Sequence, residues 1–430
     1  MKEFKKITLP NGLRVFLVPR RQSLASSVLI LVEAGSEYET KKINGLSHFL
    51  EHLMFKGTAN RPVPGMIAEE LASLGAQSNA FTGEEYTGYW AKAESHKLPK
   101  ILDIVSDLYL NPIFNPEEIE KERGVIIEEI NMYEDTPMRR VQEFFTSLLY
   151  GDQPAGWDIA GKKEVIRKLA REDFMRYRDA HYVAPKTLVV VAGNLSEKKT
   201  LAAIKDSFGG LTRLPRLRKK STIHRRQAAP ELFLKFKESD QSHFVLGMKA
   251  FDIFDKRKYA LQVLADVLGG GMSSRLFKRV REEMGAAYYI HSSADFYIDH
   301  GHFVVSAGVD HKKVHDVIKA ALTELDRLRK EIIPEKELQK SKDHLIGNLI
   351  LGLETSDELA SFYGGQEILA GSVVTPAQLI KKVRAVTALE IQALAKLLFK
   401  EDLLNLAIIG PYKDSNAFKR VFKLSSRVLH

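Results

Sequence analysis

Residues 44–57, Asn44-Gly-Leu-Ser-His48-Phe-Leu-Glu51-His52-Leu-Met-Phe-Lys-Gly57, constrain this chain more than any other stretch. They predict one short helix, with Asn44 to cap its start and Gly57 to end it in a left-handed turn. At 3.6 residues per turn His48, Glu51 and His52 share a face, with Phe55 one turn beyond, while Leu46, Leu50 and Leu53 take the far side. A helix that is apolar even opposite its polar stripe is a buried one. Two imidazoles and a carboxylate inside it need partners, because uncompensated buried polar groups cost several kcal/mol. The rest of the chain must therefore supply a core around this helix and a partner for its polar face.

A metal ion is such a partner. Neutral imidazoles at i and i+4 can both ligate one Zn²⁺, and the carboxylate between them then faces the open coordination position. From there Glu51 can act as general base while a zinc-bound water attacks a carbonyl. With 13 histidines and 55 acidic residues in 430, roughly 0.05 such motifs arise by accident, so the pattern is suggestive but not sufficient alone. Two core histidines hydrogen-bonded to a helix carboxylate remain the alternative. A catalytic zinc needs a third protein ligand, and the predicted helix 115–134 offers Glu122, Glu128 and Glu129. Helical phase puts Glu129 in an otherwise apolar stripe with Glu122, Val125, Ile126, Met132 and Tyr133, whereas Glu128 falls on the side of Lys121, Asn131 and Asp135 and reads as solvated. A carboxylate in an apolar stripe wants a cation, which favours Glu129. Glu122, two turns earlier, could accept the free ring N–H of a ligating histidine.

The chain is too long for one ordinary core. Strands at 7–18 (a hairpin about Asn11-Gly12), 27–33, 77–82 and 86–93 precede helices at 96–110, 115–134 and 137–150 and a strand at 187–194. The order then recurs: strands at 231–238 and 243–250, helices at 256–268 and 273–283, strands at 287–297 and 302–309, four helices to about 398, and a strand at 404–410. This predicts an α+β chain of two similar domains, each a mostly antiparallel sheet with helices packed on it: 1–212 with the zinc, 213–230 as a basic linker, and 231–430 without zinc. The linker holds Arg216, Arg218, Lys219, Lys220, Arg225 and Arg226 without interleaved aromatics, and reads as solvated rather than as a nucleic-acid site. No cysteine is present, so zinc must use His and carboxylate. No apolar run reaches the ~20 residues of a membrane span, and the start lacks an apolar secretion signal, which points to the cytoplasm.

His48-Phe-Leu-Glu51-His52 with Phe55-Lys-Gly-Thr58, and Glu122-Arg-Gly-Val-Ile-Ile-Glu-Glu129, resemble the inverted-zincin metallopeptidases of the pitrilysin and insulysin type. The likeness is to the shorter branch that includes mitochondrial processing peptidase and its bacterial relatives. It extends through Gly156-Trp-Asp-Ile-Ala-Gly161, His181-Tyr-Val-Ala-Pro185, Val191-Ala-Gly-Asn194, Gly269-Gly-Gly-Met-Ser-Ser-Arg-Leu276 and Arg281-Glu-Glu-Met-Gly-Ala-Ala-Tyr288. The resemblance implies zinc on His48, His52 and Glu129, Glu51 as general base, and half of a clamshell as the architecture. It implies an extended peptide lying along an edge strand at Asn79, Ala80 and Phe81, and an Arg281/Tyr288 pair that contacts substrate near the scissile bond. The long members join two such halves, and their Arg/Tyr pair comes from the half lacking zinc. One half-length chain carrying both features implies a homodimer, or a heterodimer with a related subunit, that encloses the peptide. The activity expected is a zinc endopeptidase acting on extended or unfolded peptides; the rival expectation is a non-catalytic peptide-binding subunit.

Overall fold

The structure is a computed structural model that describes residues 3–213, 220–223 and 227–421. The chain is α+β and forms two compact units, each built on its own mixed sheet. The helices packed around the two sheets include α1 (Leu46–Met54), α2 (Leu98–Leu110), α3 (Pro116–Glu134), α4 (Pro137–Tyr150), α5 (Lys258–Gly269), α6 (Glu335–Leu351) and α7 (Ser356–Ala370).

The first unit comprises Met1–Ile130, Asp158–Ser221 and Ile350–Thr375. Its sheet contains β1 (Lys5–Thr8), β2 (Arg14–Pro19), β3 (Ala25–Val32), β4 (Gln77–Thr82), β5 (Thr87–Glu94) and β6 (Thr187–Gly193), in the order β1-β2-β6-β3-β5-β4. Only β2 and β6 run parallel. The predicted hairpin joins β1 to β2, with Gly12 at φ +93° in its turn. Both faces of this sheet are buried, so its inner strands read as continuous apolar runs rather than alternating ones. Val15 and Leu17 face a core shared with Leu46, Phe49 and Leu50 of α1 and Ile101 and Val105 of α2. Phe16 and Val18 face the opposite way, against Leu359, Ala360 and Tyr363 of α7.

The second unit comprises Asn131–Trp157, Thr222–Leu349 and Pro376–His430. Its strands are β7 (Glu231–Phe236), β8 (Ser242–Lys249), β9 (Ala287–Phe296), β10 (Gly301–Val309) and β11 (Asn405–Gly410), in the order β7-β11-β8-β10-β9, with β7 and β11 parallel. This repeats β2-β6-β3-β5-β4 strand for strand. One face carries α5, and Val245, Val304, Ala407 and Ile409 on the other pack on Val141, Phe145 and Leu149 of α4.

The compact units are therefore not the contiguous stretches 1–212 and 231–430 that the sequence suggested. Residues 131–157 join the second unit and 350–375 the first. A sheet that is apolar on both faces needs two covers, and each sheet takes its second cover from the other half of the sequence. Between residues 314 and 398 five helices form rather than four, because Gly371, at φ +63°, ends α7 before a further helix begins at Pro376. Of the basic linker, Arg216, Arg218, Lys219, Arg225 and Arg226 lie outside the described residues. Lys220 is not solvated: its ammonium is buried between the carboxylates of Glu37 and Glu85 in the first unit. Among the described residues no helix is long and apolar enough to cross a membrane.

The start of α1 differs from expectation. Gly45, not Asn44, is the capping position, with φ +94°. This turn sends the Asn44 side chain away from the helix, onto Glu39 and the Asp158 carbonyl, each at 3.1 Å. The buried Glu39 carboxylate caps α1 instead, accepting N–H bonds from Gly45 (2.7 Å) and Ser47 (2.6 Å) at the positive end of the helix. Burial nevertheless pushes Glu39 up from 4.5 to about 7, against the pull of the Ser47, Gly45 and Asn44 donors. The folded chain thus holds this proton more tightly than the unfolded one. The associated stability is full below about pH 4.5 and declines as pH rises through 7, by about 3 kcal/mol in all. Urea denaturation of the protein and of Glu39→Gln should show the wild-type advantage shrinking between pH 5 and pH 8; a pH-independent gap would remove Glu39 from this role.

Candidate metal centre

The centre lies in the first unit, where α1 and α3 meet beside the end of β4. α1 is buried through Leu46, Phe49, Leu50 and Leu53, leaving His48, Glu51 and His52 half-buried on its remaining face. α3 presents Glu122 and Glu129 to that face, seven residues and so two turns apart. Glu128 is exposed, as its phase predicted. The stripe around Glu129 is less buried than expected: Ile126 is fully buried, but Val125 and Met132 are about half exposed, so Glu129 sits where the α3 face opens to solvent.

The Oε2 atom of Glu129 lies 3.5 Å from His48 Nε2 and 3.5 Å from His52 Nε2. That is too long for an N–H···O hydrogen bond, which ends near 3.2 Å. It matches the edge of a tetrahedron: two ligands about 2.1 Å from one Zn²⁺ stand about 3.4 Å apart. Ligand atoms of all three residues fall within 4.8 Å of one another, so the set fits a divalent cation better than a hydrogen-bonded cluster. The other nitrogen of His52, Nδ1, is 3.2 Å from Glu122 Oε2. Donation there leaves the Nε2 lone pair aimed at the shared point.

The surrounding carboxylates favour positive charge at this point. Burial alone would raise Glu122, but the hydrogen bonds of His52 and Lys56 outweigh it and hold the carboxyl below its ordinary range. Lys56 Nζ is 2.6 Å from Glu122 Oε1. His52 loses proton affinity through burial and regains more from the Glu122 hydrogen bond and the charges of Glu51 and Glu129. Glu51 is pushed up by burial, an effect the Thr82 hydroxyl and His52 only partly offset and Glu129 reinforces. Thr82 Oγ1 donates to Glu51 Oε2 at 2.6 Å.

β4, which carries Asn79, Ala80 and Phe81, is an edge strand paired on one side with β5. The Ala80 N–H is held by its neighbour's side chain, Asn79 Oδ1, at 2.9 Å, and the Phe81 ring meets Tyr86 edge-on at 5.7 Å. Arg281 and Tyr288 belong to the second unit. Gly285 at φ +53° breaks the helix between them, and the return of the chain lets Arg281 Nη1 donate to the Tyr288 carbonyl. The guanidinium stands 5.9 Å from the centre of the Tyr288 ring, which is 72% exposed. Sequence reasoning missed Lys56, Thr82 and Glu39. Lys56 had a signal, since it lies four residues after His52 on the same face; Thr82 and Glu39 act across elements and had none.

Residues 14–163 match the family described as insulinase, peptidase family M16, and residues 168–345 match the peptidase M16 inactive domain. The uncharacterized zinc protease YmxG of Bacillus subtilis is 34% identical, over 95% of this chain and 98% of its own length. A further zinc protease, from Streptomyces coelicolor, is 33% identical over 96% of this chain and 91% of its own. In fold, the chain resembles a Helicobacter pylori protease of known crystal structure, with a TM-score of 0.89 at 24% identity over 95% of this chain and 99% of that one.

Removing any of the three converging side chains, as in His48→Ala, His52→Ala or Glu129→Ala, should abolish tight zinc binding in chelator competition. Glu122→Gln keeps the shape but not the charge, and should weaken zinc by about 10- to 100-fold. Unchanged affinity in Glu129→Ala would remove that residue from the set.

Proposed function

We propose that this chain, which belongs to peptidase family M16, the insulinase family, is a zinc-dependent endopeptidase hydrolysing extended or unfolded peptides. The observation that carries the reading is the equal 3.5 Å separation of one Glu129 oxygen from two imidazole nitrogens, with a second carboxylate, Glu51, on the same helix face. His48, His52 and Glu129 would hold zinc, which when bound supplies a Lewis acid for the scissile carbonyl and lowers the pKa of water.

The residues of the chain do the rest. Glu51 takes the proton of the attacking water and returns it to the leaving amine. Its raised proton affinity suits a group that must serve as base and then as acid. Glu122, kept ionised by Lys56, fixes the ring of His52. A peptide adds to the free edge of β4 as a further strand, through main-chain bonds that are indifferent to most side chains. The Ala80 N–H becomes available once the Asn79 amide turns from it. Arg281 and Tyr288 offer a guanidinium and a phenol, donors suited to a peptide carbonyl or a developing oxyanion. We assign them to the zinc centre of a second copy of the chain, in a homodimer that closes around the peptide.

Glu51→Gln should bind zinc like the wild type and lose turnover of a quenched peptide by orders of magnitude; undiminished cleavage would refute the assignment. Loss of cleavage in every chain despite full zinc loading would instead favour a peptide-binding subunit. Mixing an Arg281→Ala/Tyr288→Phe chain with a Glu51→Gln chain should restore roughly one working centre per mixed pair. No rescue under conditions where mixed dimers form would count against sharing between copies.

A further inference from the structure

We infer that Thr82 is a positioning residue that locks the general base to the strand on which substrate lies, so that one rigid post sets both the peptide and the proton acceptor. The inference rests on the peptidase reading and deepens it.

Glutamate has three side-chain torsions and, half-buried beside a metal centre, several places for its carboxylate to go. In this structure one oxygen of Glu51, Oε2, accepts the Thr82 hydroxyl at 2.6 Å. The same hydroxyl lies 3.5 Å from the Ser47 carbonyl, one turn before Glu51 on α1. Thr82 thus holds the end of the base while standing against the backbone of α1, leaving Oε1 to receive the proton of the water.

Thr82 is also the last residue of β4, two positions beyond Ala80 and on the same side of the strand. What makes it a post is the turn after it. Gly83 N–H bonds to the Tyr86 carbonyl at 2.9 Å, closing the β4–β5 hairpin. The Gly83 and Glu84 carbonyls accept the N–H groups of Ser36 (3.2 Å) and Glu37 (2.9 Å), tying the hairpin tip to the segment after β3. Gly35 lies so close that a Cβ there would stand 2.4 Å from the Gly83 carbonyl. Glu85, in the same turn, and Glu37, in the segment it rests on, share the buried Lys220 ammonium. The end of β4 is therefore fixed to the body of the unit while its outer edge stays open for pairing. A peptide registered on that edge and a carboxylate hung from its last residue share one frame, which is the condition for a reproducible approach of water to the scissile bond.

Thr82→Val keeps the shape and removes the hydroxyl; Thr82→Ser keeps the hydroxyl. With zinc loaded and zinc affinity unchanged, Thr82→Val should lose about 10- to 100-fold in kcat with KM within about two-fold, and Thr82→Ser should recover most of the loss. Wild-type kcat in Thr82→Val, alongside an inert Glu51→Gln, overturns the inference and spares the peptidase reading. Should no form of the chain cleave peptides, that reading fails by itself, and crystals of the metal-free Thr82→Val chain decide the remaining question. Glu51 spread over several rotamers supports the post, and Glu51 in its wild-type rotamer overturns it.

Discussion

The structure of the first unit turns on one convergence: two imidazole nitrogens and one carboxylate oxygen, from separate helices, aimed at a common point with 3.5 Å edges. Nitrogen lone pairs and a carboxylate do not approach one another without a proton or a cation between them. Glu51 and Glu122 add two further carboxylates to the neighbourhood, and Lys56 offsets only the second of these. The electrostatic pattern of α1 and α3 therefore favours positive charge at that point. The elements around it serve to hold the two helices at this separation: Glu39 fixes the start of α1, the apolar face of α1 packs on the inner side of the sheet, and Thr82 ties Glu51 to β4.

The second unit shows what the same framework does without such a cluster. α5 is the counterpart of α1, following β8 as α1 follows β3, and α6 is the counterpart of α3. In α5 the positions spaced as His48, Glu51 and His52 are Gln262, Ala265 and Asp266. From α6, His344 reaches Asp266 directly, Nδ1 to Oδ1 at 2.7 Å, at a sequence separation one residue longer than that from His52 to Glu129. An imidazole and a carboxylate, one from each helix, satisfy each other and need no ion. The Gly269-Gly270-Gly271 turn closes over the pair so tightly that a Cβ on Gly270 would stand 2.3 Å from Asp266 Oδ1. The repeat keeps the junction of the two helices, bridged by a hydrogen bond in the second unit and carrying the His48, His52 and Glu129 convergence in the first.

How much of this the sequence disclosed depends on the range of each interaction. His48, Glu51 and His52 lie within five residues on one helix, so the 3.6-residue period was enough to bring them together. Glu122 and Glu129 were separable from Glu128 by phase alone, since a helix face is a local property. The strands were legible because both sheets are covered on both faces, which leaves long apolar runs bounded by Gly and turn residues. What sequence could not disclose was which surface each amphipathic element meets. The apolar stripe of α4 says that Val141, Phe145 and Leu149 are buried, not that they lie on β8 and β11. The Lys220 charge looked solvated in a basic run because its partners, Glu37 and Glu85, are more than a hundred residues away. Asn44 looked like a cap because Asn usually is one; the left-handed Gly45 next to it reassigned the task to a carboxylate five residues earlier.

The exchange of α4 and α7 has a consequence for how this chain can be divided. The stretch before the linker contains His48, Glu51, His52, Glu129 and the edge strand, and looks self-sufficient. Yet its sheet presents Phe16, Val18, Leu29, Leu31, Leu188 and Val190 on the face that α7 covers, and α7 is encoded more than a hundred residues beyond the linker. Without α7 these side chains would be left to water, at roughly 1.5–3 kcal/mol for each large residue uncovered, a sum comparable to the whole stability of an ordinary domain. The same holds for β8, β10 and β11 without α4. The two sheets are thus interdependent through chain connectivity, and the second half of the sequence is required to complete the half that holds His48, His52 and Glu129.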